Sequence, residues 1–225
     1  MSAVNVAVNR WVNRWVNRAR AVVGVLLVLL SGCGGAEALA RTGQPLAAPT
    51  GGAGVAELVP PGYGTLTQAQ FTLELESGAL QIQVTPLAES VIRLAAPDTY
   101  QRLAGLSALA RESLRSRIRD ETPFFLVSLF SRAPDTPYEP ENLHLVNGGL
   151  RYRPAAIEAI TPGWGGNRLR QQETQMAVYA FGGNIDLNLR LTVEYEDVIN
   201  TGWDAILHQL ELERARVRAR VGAEF

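Results

Sequence analysis

Hydrophobic and polar residues alternate strictly in two adjacent stretches of this chain. Phe71, Leu73 and Leu75 alternate with Thr72, Glu74 and Glu76; after Ser77-Gly78, Leu80, Ile82 and Val84 alternate with Gln81, Gln83 and Thr85. A period of two puts one set of side chains on each face of a strand, so the pair predicts a hairpin around a glycine turn. Val91-Ile92-Arg93-Leu94 is a further short apolar piece and predicts a third strand. The period then lengthens. Tyr100, Leu103, Leu106, Ala110, Leu114 and Ile118 recur at helical spacing, which predicts a helix over 98–119, begun by Asp98 or Thr99 and stopped by Glu121-Thr122-Pro123. Its other face carries Arg102, Arg111, Glu112, Arg115 and Arg119, by default a solvated face.

Strand patterning returns after Pro123. Phe124 to Phe130 is apolar on both faces, as a central strand is. A Pro-rich acidic loop over 134–141 leads to Leu143-His144-Leu145-Val146, and Asn147-Gly148 separates that piece from 150–154, a strong hairpin signal. Two more strands are predicted over 174–181 and 187–195, joined by Gly182-Gly183-Asn184. From Trp203 to Val221 the stripe Trp203, Ile206, Leu207, Leu210, Val217 and Val221 predicts a C-terminal helix. Arg214, Arg216, Arg218 and Arg220 lie where cations favour a helix end. Many short strands without βαβ alternation predict a mainly β (α+β) fold: a β-sandwich over 65–225 with an inserted amphipathic helix and a C-terminal helix. The strands of 124–195 resemble, in architecture, the immunoglobulin-like modules of envelope proteins.

The N-terminal pattern is of another kind. An uninterrupted apolar run, Ala21 to Leu30, ends in Leu30-Ser31-Gly32-Cys33, which holds the chain's single cysteine. Arg10, Arg14, Arg18 and Arg20 precede the run, partly within a tandem Asn-Arg-Trp-Val repeat, and no acid stands ahead of Cys33. A membrane-spanning helix needs about 20 apolar residues; this run is shorter and has the grammar of a secretory signal. Residues 10–33 resemble the lipobox signal of bacterial lipoproteins. The resemblance implies removal of residues 1–32 and acylation of Cys33, on sulfur and on the new amino terminus, by palmitate-type chains. The partner it implies is the lipid bilayer, and the location is the cell envelope. Gly34 in place of an aspartate implies, by the sorting rule of diderm bacteria, the outer membrane, facing periplasm or surface. Residues 34–64, rich in glycine, proline and alanine, predict a flexible tether with a reach of roughly 30 Å.

Charge and composition narrow the function further. Four of the 21 basic residues and none of the 22 acids lie in the signal, so the remainder carries a net charge of about −5. That argues against a nucleic-acid partner. Every basic residue is arginine, so a Walker loop and a Ser-x-x-Lys motif are both impossible. With Cys33 acylated, no disulfide framework or thiolate metal site is available. His144 and His208 are the only imidazoles, and their spacing suits no zinc site. Asp135, Glu139 and Glu141 offer oxygen ligands to calcium but match no calcium loop, so a solvated connection is the default. No catalytic residue, metal or cofactor is therefore predicted.

The most distinctive loop is Thr161-Pro162-Gly163-Trp164-Gly165-Gly166-Asn167-Arg168. Trp164 can stack on a sugar or peptide while Asn167 and Arg168 hydrogen-bond to it. The plainer alternative is that Trp164 closes the end of the sandwich. The sequence thus points to a non-enzymatic binding or assembly module that meets another envelope protein or a cell-wall polymer. One alternative is a small-ligand or sugar receptor, or an enzyme, using the 161–168 loop. A second is an outer-membrane β-barrel component, because Ala215, Val217, Ala219, Val221, Ala223 and Phe225 alternate like a closing barrel strand.

Overall fold

The computed structural model of the chain describes residues 59–223. The signal, Cys33, tether residues 34–58 and the last two residues of the alternating C-terminal run lie outside the described residues.

The fold is mainly β, with antiparallel sheets and a C-terminal helix. Strands β1 (Leu73–Ser77) and β2 (Leu80–Pro86) form the expected hairpin, in the register Leu73↔Val84 to Ser77↔Leu80. Gly78, at φ +57, supplies the left-handed conformation of its turn. β2 pairs with β3 (Phe124–Ser131), which is buried along most of its length and pairs on its other side with β9 (Thr174–Phe181). β7 (Pro154–Ala159) completes the order β1-β2-β3-β9-β7.

A second sheet has the order β11-β10-β5-β6, built from Val198–Asn200, Leu191–Tyr195, Leu143–Asn147 and Leu150–Tyr152. Leu143, Leu145 and Asn147 lie opposite Tyr195, Val193 and Leu191, and all six are buried. The 139–140 segment links the sheets by one hydrogen bond to each. The Tyr179 hydroxyl donates to the Pro140 carbonyl (3.1 Å), and the Glu139 N–H donates to the Tyr195 hydroxyl (3.0 Å).

Three expectations are corrected. Residues 91–94 are not a strand: Pro86 ends β2, and helix α1 (Glu89–Ile92) follows. Val91, Ile92, Leu94 and Ala95 are all buried, and a single turn can bury such neighbours together where an alternating strand cannot. The helix expected over 98–119 is α2 (Pro97–Leu114), with Pro97 at its start. It ends early as its last turn tightens: the Arg115 N–H bonds to the Glu112 carbonyl and the Arg117 N–H to that of Leu114, each three residues back. Arg111 then reaches the Asp120 carbonyl and lies 4.7 Å over the Phe124 ring, folding 115–122 back toward β3. Thirdly, the strand expected over 187–195 is β10, which begins only at Leu191. The chain leaves the first sheet after Phe181 and joins the second only at Leu191.

The buried amide of Asn147 explains that last change. Its Nδ2 donates to the carbonyls of Asp186 (2.9 Å) and Arg190 (3.0 Å), and its Oδ1 accepts from the Asp186 N–H (2.9 Å). Asp186 and Arg190 therefore spend backbone groups on a side chain of β5 and not on a strand partner.

Helix α3 (Trp203–Gly222) forms as expected, so through Gly222 the alternation of 215–225 rides on a helix and not on a barrel strand. No helix among the described residues is long and apolar enough to cross a membrane. α3 also meets the start of the folded body. Glu213, with no exposed surface, accepts from the Thr65 N–H (3.1 Å), the Thr65 hydroxyl (2.9 Å) and Arg220 (3.2 Å). Arg220 also donates to the Tyr63 carbonyl, and Arg93 to that of Val59 (3.3 Å). Residues 59–64, the last of the expected tether, thus pack on the body; Val59 and Gly64 are buried, and a Cβ at Gly64 would lie 2.1 Å from the Leu94 carbonyl carbon.

β3 gives the body two ends. At the Phe124 end, Leu87 donates to the Phe124 carbonyl, and Leu66 bridges to Leu94 and Ala96. This is where the N-terminal segment arrives. At the Ser131 end, Ser131 exchanges backbone hydrogen bonds with Gln172 and Glu173. The two ends are about 23 Å apart at strand rise.

Candidate functional site

The Ser131 end gathers the loops that the sequence singles out. The acidic loop and the tryptophan loop are clipped together by two short strands, β4 (Thr136–Pro137) and β8 (Arg168–Leu169), paired as Thr136↔Leu169 and Pro137↔Arg168. The Ser131 and Thr136 hydroxyls hydrogen-bond beneath them, and the Tyr138 N–H donates to the Asn167 carbonyl (3.0 Å). Asp135, Asn167 and Gln172 all have positive φ (56°, 54° and 60°). Asx residues accept that conformation more readily than most, which is one reason Asp and Asn occupy two of these corners.

Trp164 turns inward. Its ring lies 5.9 Å from that of Tyr138 and 6.1 Å, edge on, from that of Tyr179, which stacks in turn with Phe181. The Gly165 N–H donates to the Tyr138 hydroxyl (3.3 Å), so the glycine-flanked turn is pinned to the same aromatic cluster. Burial raises the Tyr138 and Tyr179 pKa values, so both hydroxyls stay protonated donors. Asn167 faces Glu139, with its Nδ2 3.4 Å from the nearer carboxylate oxygen. Arg168 grips Asp135 through a two-pronged ion pair. The three predicted contact residues therefore share one end of the body, each already engaged with a neighbour. Trp164→Ala is expected to cost about 2 kcal/mol, less than a fully buried aromatic, in a urea titration.

The acids of the 134–141 loop do not converge. Asp135 goes to Arg168, Glu139 to Asn167, and Glu141 is exposed. Among the described residues no group of three His, Cys, Asp or Glu is placed to hold a metal ion. His144 is buried with its Nδ1 2.8 Å from the Asn142 carbonyl, and His208 is exposed.

Beside the clipped loops lies an open groove of about 700 Å³, lined by Pro134, Pro162, Arg168, Arg170, Glu173 and Gln175 among others. The Gln175 side chain is its anchor. Its Oε1 accepts from the Tyr138 hydroxyl (2.6 Å) and its Nε2 donates to Glu173 (2.9 Å), whose other oxygen accepts from the Arg170 N–H (2.8 Å). That side-chain hydrogen bond from Gln175, followed by the one from the Arg170 backbone, lowers the Glu173 pKa. The Arg168 contact lowers that of Asp135. Both carboxylates stay ionised below the usual range. Sequence reading missed Tyr138, Gln175 and Glu173, since no local pattern links Tyr138 to a glutamine 37 positions later. No family model, curated protein or solved structure matches the chain.

Proposed function

We propose that this is a lipid-anchored protein of the bacterial cell envelope, held by acylated Cys33, whose body is an immunoglobulin-like two-sheet sandwich. It acts as a non-enzymatic binding module, and the Ser131 end is its contact surface. The observation that carries the reading is polarity along β3. The segment arriving from the Cys33 side docks at the Phe124 end, while the Trp164 loop and the groove occupy the other. A module tethered in this way keeps its groove at the end away from its own attachment, open to whatever lies beyond the tether's reach. Burial of the rows Leu73, Val84, Val127 in one sheet and Leu143, Leu145, Val193 in the other supports the sandwich.

The anchor is tested by metabolic labelling with a fatty acid. Wild type is expected to take up label and run as a processed chain, and Cys33→Ala to take up none and remain largely unprocessed. Label entering Cys33→Ala, or no label in wild type, overturns the reading.

A further inference from the structure

Resting on the reading of the Ser131 end as the contact surface, we infer that the groove binds an uncharged glycan chain. Charge is the first argument. The lining pairs Arg168 with Asp135 and sets Arg170 beside Glu173, so two cations face two carboxylates. A balanced lining suits a neutral ligand; an anionic polymer would find a carboxylate beside each arginine.

Geometry is the second. The polar groups on offer are the Gln171 amide, the Asp135 and Glu173 carboxylates and the guanidiniums of Arg168 and Arg170, planar groups that engage neighbouring sugar hydroxyls two at a time. They are also held in advance. Gln175 is fixed between Tyr138 and Glu173, Glu173 by the Arg170 backbone, and Asp135 by Arg168. Little side-chain freedom is lost when a ligand arrives. Arg170 and Gln171 stand exposed at the rim.

The third argument is what the apolar lining lacks. Pro134 and Pro162 present flat rings, Gly163 at φ +91 adds no side chain, and Leu169 is buried. Flat apolar patches fit the C–H faces of sugar rings. A peptide anchored by an apolar side chain would need apolar walls, and the lining offers only Pro134, Pro162 and the buried Leu169 for that. Trp164 contributes from beneath: with its ring spent on Tyr138 and Tyr179, it holds the floor in place.

The test is isothermal titration of the full acylated chain in detergent micelles against four uncharged tetrasaccharides: chitotetraose, cellotetraose, maltotetraose and mannotetraose. A heparin tetrasaccharide serves as the anionic comparison. At least one neutral tetrasaccharide is expected to bind saturably below about 10 mM, a weak-binding regime typical of a shallow open site. Arg170→Ala combined with Gln171→Ala should weaken it by about tenfold, with the melting temperature unchanged. Arg153→Ala, on an exposed position outside the groove, should bind as wild type does. No saturable neutral binding, binding of heparin alone, or equal binding by the double variant overturns the inference. A photo-crosslinker placed at Gln171 in intact envelopes separates the two readings. Cross-links to a protein would overturn the glycan while keeping this end as the contact surface, and absence of any cross-link would overturn both.

Discussion

Trp203→Ala is expected to lower the unfolding free energy by about 4 kcal/mol, within the range for deleting a buried aromatic. Trp203 opens α3, has no exposed surface, and ranks first among the largest fully buried side chains. Its Nε1 donates to the Leu187 carbonyl (3.0 Å), so truncation leaves both a cavity and an unpaired acceptor. In a body of this size each kcal/mol moves the midpoint by about 2–4 °C, so the melting temperature should fall by roughly 8–16 °C. Trp203→Phe refills most of the volume without the hydrogen bond and should recover about half the loss. A change below about 1 kcal/mol for the alanine variant would show that the helix start is not part of the core.

Glu213→Ala should cost about 3 kcal/mol, with a local signature as well as a global one. The carboxylate is buried on α3 and holds Thr65 and Arg220, with Arg216 3.6 Å away. One of its oxygens, Oε2, has no hydrogen-bond partner, so the site depends on the charge pairing and on the bonds to the other. Without Glu213, the Thr65 N–H and hydroxyl lose their acceptor and Arg220 its counter-charge. Amide exchange over 60–66 should quicken more than exchange in β3. Thr65→Ala removes one of the donors and should cost about 1 kcal/mol. A double-mutant cycle between the two should show coupling of about 1 kcal/mol, and zero coupling would refute the contact.

Where residues act through their immediate neighbours, the fold was legible in the chain. The alternation of 73–84, the apolar run of 124–130, the Asn147-Gly148 turn and the stripe of 203–221 each became the element expected of them, while Phe71, read as the first residue of the strand, ends a short 3-10 helix over Gln68–Phe71. In the hairpin and the helix one buried face sets the spacing, and in β3 both faces are buried. The misreadings share a different origin. Residues 91–94 are apolar in a cluster, and burial of consecutive side chains is a property of the packed corner and not of a period. The alternation of 187–195 reads as strand from Leu187, but Asn147, 39 positions before Asp186, holds the backbone at Asp186 and Arg190, and β10 starts only at Leu191. The candidate site was legible in part: Trp164, Asn167 and Arg168 do share one end. The groove itself depends on Gln175, Tyr138 and Glu173, whose meeting is a result of β4 closing on β8.

The hold of α3 on Thr65 and Tyr63 sets an order of assembly. Those contacts join residues 148 and 157 positions apart and close nearly the whole body into a single loop. The entropy of closing such a loop falls on the unfolded chain, whereas the β1–β2 hairpin closes over a few residues. Local pairs therefore form first, and once the sheets exist the remaining gap is short. The N-terminal segment joins last, and by the same reasoning opens first, leaving the central strands paired.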